Sequence, residues 1–245
     1  MSIMKLKEII KKIDVMIPKE LGLENDNIGY FGPKFEDIDI KKIKVIMDLT
    51  IEEDNNSQKN ELIISHHPPL FNPKTPTYVI HSNWDIINGG ANDALAKKLN
   101  LNVLEVFDEE TGIGRICEGS FNFKDFLDII PKKLNIDYFR VVNPLNKQEN
   151  NEKLKIAIIS GFGLSNIDYI KLAKKNKVDI LISGDLTHKG AILSKNLGIC
   201  IVDISHYASE VPGLEELYDI ISKIGIETKL IHQEIPWKYI NSIDL

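Results

Sequence analysis

The sequence predicts an α/β protein, and two observations indicate this class. Apolar runs of strand length recur along the chain, and segments of helical period lie between them. The runs lack the polar alternation of a half-exposed strand, so they indicate strands that are covered on both faces. A chain of 245 residues is long enough for one large domain or two small ones.

The first half of the chain begins with an amphipathic helix. Isoleucine and leucine recur at helical spacing among lysines over residues 3–17. Buried strands are predicted at 44–48 and 61–65, and a helix is expected to begin near Asn92, after a Gly-Gly turn. This half therefore alternates helices with strands.

The second half repeats the alternation. Strands are predicted at 155–161, 179–184 and 199–203, and helices at 167–175, 189–197 and 211–224. In both halves a strand that ends in a turn precedes a strand that ends in polar, metal-capable residues. This similarity is consistent with an internal duplication, although buried parallel strands also resemble one another without common ancestry.

These patterns predict two similar α/β domains, an N-terminal half over residues 1–112 and a C-terminal half over residues 113–245. The boundary is expected where the pattern is interrupted, between Gly112 and Lys155, and the halves could interleave.

Composition excludes several classes of protein. The net charge of −6 argues against a dedicated nucleic-acid binder, which needs a concentrated basic surface. Cys117 and Cys200 are far apart and belong to no CxxC motif, so neither a disulfide framework nor a thiolate zinc site is expected. No apolar run approaches the roughly 20 residues that cross a bilayer. A cytoplasmic protein is therefore expected.

The segment IISHHPPLF places two histidines directly after a buried strand. On a continuing strand, His66 and His67 would point to opposite faces and could not share a site. Pro68 and Pro69 end the strand because neither has a backbone N–H to donate. The two imidazoles are therefore expected together past the carboxyl end of the strand, where open α/β sheets bind ligands. The alternative is one packed and one solvated histidine.

Other polar segments contain candidate ligands. Asp85 could supply a carboxylate, although alone it would more often be a cap or turn residue. His206 and Glu210 are four residues apart, so on a helix they share one face; the alternative is a surface pair that contributes about 0.2–0.5 kcal/mol. Asp185 and His188 lie in another loop after a strand.

Together these residues predict a metal site with nitrogen and oxygen ligands. Such a site suits zinc, iron, manganese, nickel or cobalt. Five ligands are too many for one tetrahedral ion, but they suffice for two divalent ions if carboxylates bridge. The five candidates are His66, His67, Asp85, His206 and Glu210.

Five motifs in order resemble the family of GTP cyclohydrolase I type 2 homologues, also called Nif-three-like proteins. They are DNIG from Asp26, SHHPPLF from Ser65, HSNWD…GGANDALA from His81, SGDLTH from Ser183 and HYASE from His206. The resemblance spans nearly the whole chain. It implies a two-domain α/β protein with a dinuclear metal centre between the halves, assembled as a ring-shaped homohexamer that is built from dimers.

The resemblance also implies roles for individual residues. The metal ligands would be the same five residues that the spacing selects. His81, Asp185 and His188 would lie nearby on the substrate side, and Asp26 would approach the site.

The first functional hypothesis is a metal-dependent hydrolase that acts on a purine nucleotide or related compound, the substrate class that the family name implies. His188 or Asp185 could act as the proton shuttle. Gly161 to Gly163 could form a phosphate-facing turn, but a plain strand–helix turn is favoured.

The alternative hypothesis is a metal-stabilised binding or regulatory module that recruits DNA or a protein partner without turnover. The net charge does not favour the nucleic acid. A third hypothesis is a protein that stores or delivers metal.

Overall fold

The computed structural model describes residues 2–144 and 152–238 of the chain. The strands are β1 Met4–Lys5, β2 Gly29–Phe31, β3 Asp39–Ile40, β4 Lys42–Ile46, β5 Glu61–Ser65, β6 Thr77–Val79, β7 Asn102–Val106, β8 Arg115–Phe121, β9 Arg140–Val142, β10 Glu152–Ile158, β11 Ile180–Ser183, β12 Cys200–Asp203 and β13 Glu227–Leu230. The helices are α1 Leu6–Met16, α2 Ile51–Asn55, α3 Ser82–Ile86, α4 Ala91–Lys98, α5 Phe123–Leu134, α6 Ile167–Lys175, α7 His188–Leu197 and α8 His206–Ser222, with a short 3-10 helix at Lys19–Leu21.

A five-stranded sheet has the strand order β13-β4-β5-β6-β2. The first four strands in this order are parallel, and β2 pairs antiparallel at the edge. Helices α1 and α8 bury apolar side chains against this sheet, and Leu6, Ile9 and Leu217 are fully covered. Burial of each such side chain stabilises the fold by roughly 1.5–3 kcal/mol.

A six-stranded sheet has the order β7-β8-β10-β11-β12-β9. Strands β10, β11 and β12 are parallel, whereas β8 and β9 pair antiparallel on either side of them. Apolar clusters cover this sheet, and its central strands are buried as their unbroken apolar runs predicted.

The predicted α/β class is confirmed, and all five predicted strands are present. One helix differs from the prediction, because α8 begins at His206 and not at residue 211. The side chain of Ser205 accepts the backbone N–H of Ala208 and caps the helix there. Pro212 lies inside the helix and did not stop it.

Each of the two sheets includes a strand from the other predicted half of the chain. Strand β7 lies before residue 112 but pairs in the six-stranded sheet, and β13 lies near the end of the chain but pairs with β4. The segment from 112 to 155 was expected to interrupt the pattern, but it contains β8, α5 and β9. Residues 145–151 of its polar stretch lie outside the described residues. The domain boundary and the internal duplication stay predictions.

Within the described residues, no helix combines the length and the apolar character that crossing a bilayer requires.

Candidate metal centre

The end of β5 places two imidazoles side by side. The backbone N–H groups of His66 and His67 still donate to the carbonyls of Ile46 and Met47, at 3.0 and 2.9 Å. The hydroxyl of Ser65 donates to the carbonyl of His67 at 2.7 Å and folds the chain back at this point. As a result the two ring centroids are only 4.9 Å apart.

Three histidines are held by the ring nitrogen that points away from the cluster. In each ring Nδ1–H donates outward, to Ile80 O from His66 at 2.9 Å, to Asp48 Oδ1 from His67 at 2.8 Å, and to Asp185 Oδ2 from His206 at 2.7 Å. The Ile80 carbonyl can only accept, so it fixes the proton of a neutral His66 on Nδ1. The Nε2 lone pair then points into the cluster, as in histidines that bind metal.

Glu210 lies at the centre of the three imidazoles. Its Oε1 is 3.1 Å from His206 Nε2 and 3.5 Å from His66 Nε2, and its Oε2 is 3.1 Å from His67 Nε2. The first turn of α8 puts His206 and Glu210 on one face, as their spacing predicted. Burial would raise the pKa of Glu210, but the surrounding imidazoles outweigh it and hold this pKa well below its usual range.

The same contacts raise the pKa of the imidazoles of His67 and His206. Burial would lower the pKa of His67, but hydrogen bonds with Asp48 and Glu210 raise it to about 10. Likewise, Glu210 and Asp185 outweigh burial and raise the pKa of His206 to about 9. The cluster without metal is therefore held by protons that a metal ion would have to replace.

Asp85 completes the group from the short helix α3. Its Oδ1 lies 3.9 Å from His66 Nε2, and burial raises its pKa to about 6. Three buried atoms here make no hydrogen bond of good geometry, namely His66 Nε2, Asp85 Oδ1 and Glu210 Oε2, although each lies within 4 Å of an oppositely charged group of the cluster. Leaving a buried polar atom without a hydrogen bond costs about 1–3 kcal/mol, so three such atoms in one place favour a cation-binding site.

A glycine makes room for the central carboxylate. A Cβ atom on Gly161 would lie 2.3 Å from Glu210 Oε1, and the backbone φ of Gly161 is +79°. The amide of Gly161 donates to Ser209 Oγ at 2.7 Å. Its local role is therefore to admit Glu210, and the sequence interpretation as a strand–helix turn missed this contact. A glycine directly after a buried strand was the available signal.

The other predicted site residues differ in their placement. Asp185 is at the cluster, where it accepts from His206, but His188 is exposed in the first turn of α7 with no contact to the cluster. The ring centroid of His81 lies 5.4 Å from that of His66, and its Nδ1–H donates to Asp26 at 2.8 Å. Asp26 thus approaches the site through His81.

Two supporting residues were not identified from the sequence. Asp48 holds His67, and Gln233 holds Asp48 by accepting its backbone N–H at 3.0 Å and donating to its carbonyl at 2.8 Å. Asp48 follows β4, which pairs with β5. Gln233 follows β13, which pairs with β4 in the same sheet.

The structure thus brings all five predicted ligands together. Among these five, the buried group of His66, His67 and Glu210 could hold a metal ion. Each of the three residues offers one ligand atom, and these atoms lie within 4.8 Å of one another. The donor set of imidazole nitrogens and carboxylate oxygens suits a divalent transition metal.

Comparisons with known proteins agree with the motifs. The GTP cyclohydrolase 1 type 2 homolog of Methanothermobacter thermautotrophicus is 37% identical over 237 residues, which cover 97% of this chain and 97% of the relative. The homolog of that name from Methanocaldococcus jannaschii is 34% identical over 242 residues, 89% of this chain and 95% of the relative.

A solved structure and a family model extend the agreement to the fold. The structure of reduced HcgD from Methanocaldococcus jannaschii aligns with a TM-score of 0.81 at 32% identity, over 94% of this chain and 98% of that one. The model of the Duf34/NIF3 (NGG1p interacting factor 3) family matches residues 4–236. The chain therefore belongs to the Duf34/NIF3 family.

Proposed function

We propose that this protein is a dinuclear metal-dependent hydrolase that acts on a purine nucleotide or a related compound. His66, His67, Asp85, His206 and Glu210 would hold two divalent metal ions. The substrate class comes from the names of the relatives, several of which are called GTP cyclohydrolase 1 type 2 homologs.

The observation that carries the proposal is the convergence of three buried polar atoms without a hydrogen bond, which come from three separate elements. His66 follows β5, Asp85 lies on α3 and Glu210 lies on α8. A purely structural cluster would give these atoms hydrogen bonds of good geometry, since buried polar atoms without one are rare. Two bound cations would satisfy all of them and would explain why a carboxylate lies between three imidazoles.

Bound metal ions would supply a water molecule of lowered pKa and would stabilise developing negative charge. The chain's own residues orient the site. Asp48 and Asp185 fix the rings of His67 and His206, and Asp26 fixes His81 beside the pair of histidines. Because His81 uses Nδ1 toward Asp26, its other nitrogen is left for a hydrogen bond with a bound ligand. His188 as proton shuttle stays a prediction.

Metal content tests the site directly. The protein would be purified without a metal-chelating tag, reconstituted separately with iron, zinc, manganese, nickel and cobalt, and examined by elemental analysis. We expect about two equivalents per chain in the wild type. The variants His67→Ala and Glu210→Ala should lose most of this metal.

His232→Ala is the matched control, because His232 is exposed and lies outside the cluster. It should retain the wild-type metal content. Circular dichroism of all variants would show that loss of metal is not loss of fold. Absence of metal after every reconstitution, or equal metal in all variants, would refute the site.

Turnover is tested next with the loaded protein. Release of product from GTP and from guanosine would be followed by chromatography for the wild type, the metal-free protein and His67→Ala. The proposal expects turnover of at least one compound only in the loaded wild type. Full metal content without turnover of any purine would reject the hydrolase and favour metal storage or a binding module.

A further inference from the structure

A cleft of about 840 Å³ opens beside the metal cluster. One part of its wall consists of His67, His206 and Asp185, so a molecule in the cleft would reach the cluster. The rest of the lining is mostly apolar and includes Leu49, Ile51, Leu70, Phe71 and Trp237. A largely apolar cleft of this size with a few converging polar groups is typical of a site for a small molecule.

Several side chains of the apolar wall are exposed to solvent. Leu70 is fully exposed, Ile51 is 64% exposed and Trp237 is 49% exposed. Exposed apolar side chains that are scattered singly are normal on a protein surface. Large ones that are grouped beside a polar cluster indicate a binding surface. Pro68 and Pro69 precede Leu70 and hold this wall in a stiff conformation.

The charges in the cleft are unfavourable to phosphate chains. The charged side chains other than histidine that line it are Asp48, Asp185 and Glu234, and none of the described lining residues is Lys or Arg. Asp48 and Asp185 are paired with His67 and His206, and the described lining offers no lysine or arginine to hold the several negative charges of a triphosphate in the metal-free protein.

The nearest arginine is already occupied. Arg140 lines a smaller cleft of about 340 Å³ that shares His206 and Trp237 with the larger one. Its Nε–H donates to Asp203 at 2.7 Å, and an Nη2–H donates to the carbonyl of Leu186 at 2.9 Å. Its pairing with the buried Asp203 commits part of this guanidinium, although the side chain is 63% exposed.

We infer that the cleft binds an uncharged planar ring compound, of nucleoside and not nucleotide type, which stacks on Trp237 with its reactive end toward His67 and His206. Identifying this ligand as the substrate rests on the proposed hydrolase function. Trp237 is then the residue that selects the substrate, since an indole offers a wide, rigid face to a heterocycle.

Binding of guanosine and GTP tests the inference. Equilibrium dialysis with labelled compounds would be performed on the metal-loaded and the metal-free wild type. Tryptophan fluorescence gives a second readout, because Trp84 is 2% exposed and quenching by a ligand therefore reports on Trp237. We expect guanosine to bind both forms, and we expect GTP to bind the metal-free form at least about tenfold more weakly than guanosine does, because no lysine or arginine is among the described lining residues.

Variants at one position separate stacking from general effects. Trp237→Ala should weaken guanosine binding by about 5- to 100-fold, the range for loss of one stacked base. Trp237→Phe should retain most of the affinity because it keeps an aromatic face. Ile192→Ala is the control, since Ile192 is equally exposed at 49% but lies on α7, outside this cleft.

The outcomes separate this inference from the proposed function. Guanosine binding that depends on Trp237, in a wild type that takes up no metal after any reconstitution, would support the cleft and refute the hydrolase. Conversely, metal-dependent turnover with no effect of Trp237→Ala would refute the inference alone. Tighter binding of GTP than of guanosine to the metal-free protein would also overturn it. So would a change of oligomeric mass in Trp237→Ala with guanosine affinity unchanged, because the wall would then be an interface between copies of the chain.

Discussion

His67 Nδ1 lies 2.8 Å from Asp48 Oδ1, and this contact joins the ends of two neighbouring parallel strands. Ile46 pairs with Ser65 in the register of β4 and β5, so Asp48 and His67 each lie two residues further along. The carboxylate fixes the ring with Nε2 toward Glu210. Partners of this kind orient metal-binding histidines and raise the basicity of the ring.

Asp48→Asn should therefore weaken metal binding without removing a ligand. The amide oxygen of asparagine can still accept the Nδ1–H, but the amide lacks the negative charge that makes the ring a better ligand. We expect a 10- to 100-fold loss of metal affinity, the range found for such partners. Competition titration with a chromophoric chelator would measure it.

Asp168→Asn is the control for this change. Asp168 is an exposed carboxylate in the first turn of α6 and pairs only with Lys171 among the contacts described for it. Its variant should bind metal as the wild type does. Equal affinities for all three proteins would show that Asp48 does not support the centre.

Arg115 is a buried cation that ties α3 to the six-stranded sheet. Its guanidinium donates to Asp93 at 2.8 Å and to the carbonyl of Ile86 at 2.9 Å, directly after Asp85. Arg115→Met should lower the free energy of unfolding by about 3–5 kcal/mol, because it leaves Asp93 and several carbonyls without their partner. Urea unfolding would measure the change.

The comparison for Arg115 is an exposed ion pair of similar chemistry. Lys171→Met breaks the contact with Asp168, in which both side chains are more than half exposed. Lys171→Met should lower the free energy of unfolding by no more than about 1 kcal/mol. A loss for Arg115→Met as small as that for Lys171→Met would mean that water replaces the buried contacts.

Some of the site could be predicted from sequence because strand ends are local features. His66 and His67 follow an apolar run and precede two prolines, so their common position depends on a few adjacent residues. His206 and Glu210 need only a helix to share a face. In the same way, the central strands could be predicted, because an unbroken apolar run leaves few alternatives to a buried strand.

The remaining features depend on pairing between distant segments. The contact of Asp48 with His67 follows from the register of β4 and β5, which neither strand specifies alone. The place of β13 beside β4 brings residues 227–230 to the first sheet, and no local pattern encodes that choice. The role of Gly161 is visible only when Glu210 arrives from another element.

The pairing of Asp26 with His81 predicts how stability depends on pH. Burial would raise the pKa of Asp26, but hydrogen bonds from His81 and Ser82 outweigh it and hold this pKa well below its usual range. An unfolded aspartate has a pKa of about 3.9. A group whose pKa is lower in the folded state stabilises the fold above the unfolded pKa, and this contribution is lost as the pH falls below it.

Asp26→Asn should therefore be less stable than the wild type at pH 7, and the difference should shrink between about pH 4 and pH 2. Urea unfolding in the presence of a chelator would follow both proteins without interference from metal. A difference in stability that stays constant over this range would show that the charge of Asp26 is not responsible.

Gly161 and Gly89 offer a test of the space that Glu210 occupies. Their φ angles are nearly equal, +79° and +78°, so alanine strains the backbone similarly at both positions. At Gly89 an added Cβ meets nothing within 4 Å, whereas at Gly161 it would lie 2.3 Å from Glu210 Oε1. The difference between the two alanine variants therefore isolates the displacement of the carboxylate.

Both variants should lose about 1 kcal/mol of stability from backbone strain. Only Gly161→Ala should also lose metal, because Glu210 would have to leave its position between His66 and His206. Elemental analysis and urea unfolding of the two proteins would measure both effects. Equal metal content in the two variants would show that Glu210 can move without loss of the centre, and would argue against this carboxylate as a central ligand.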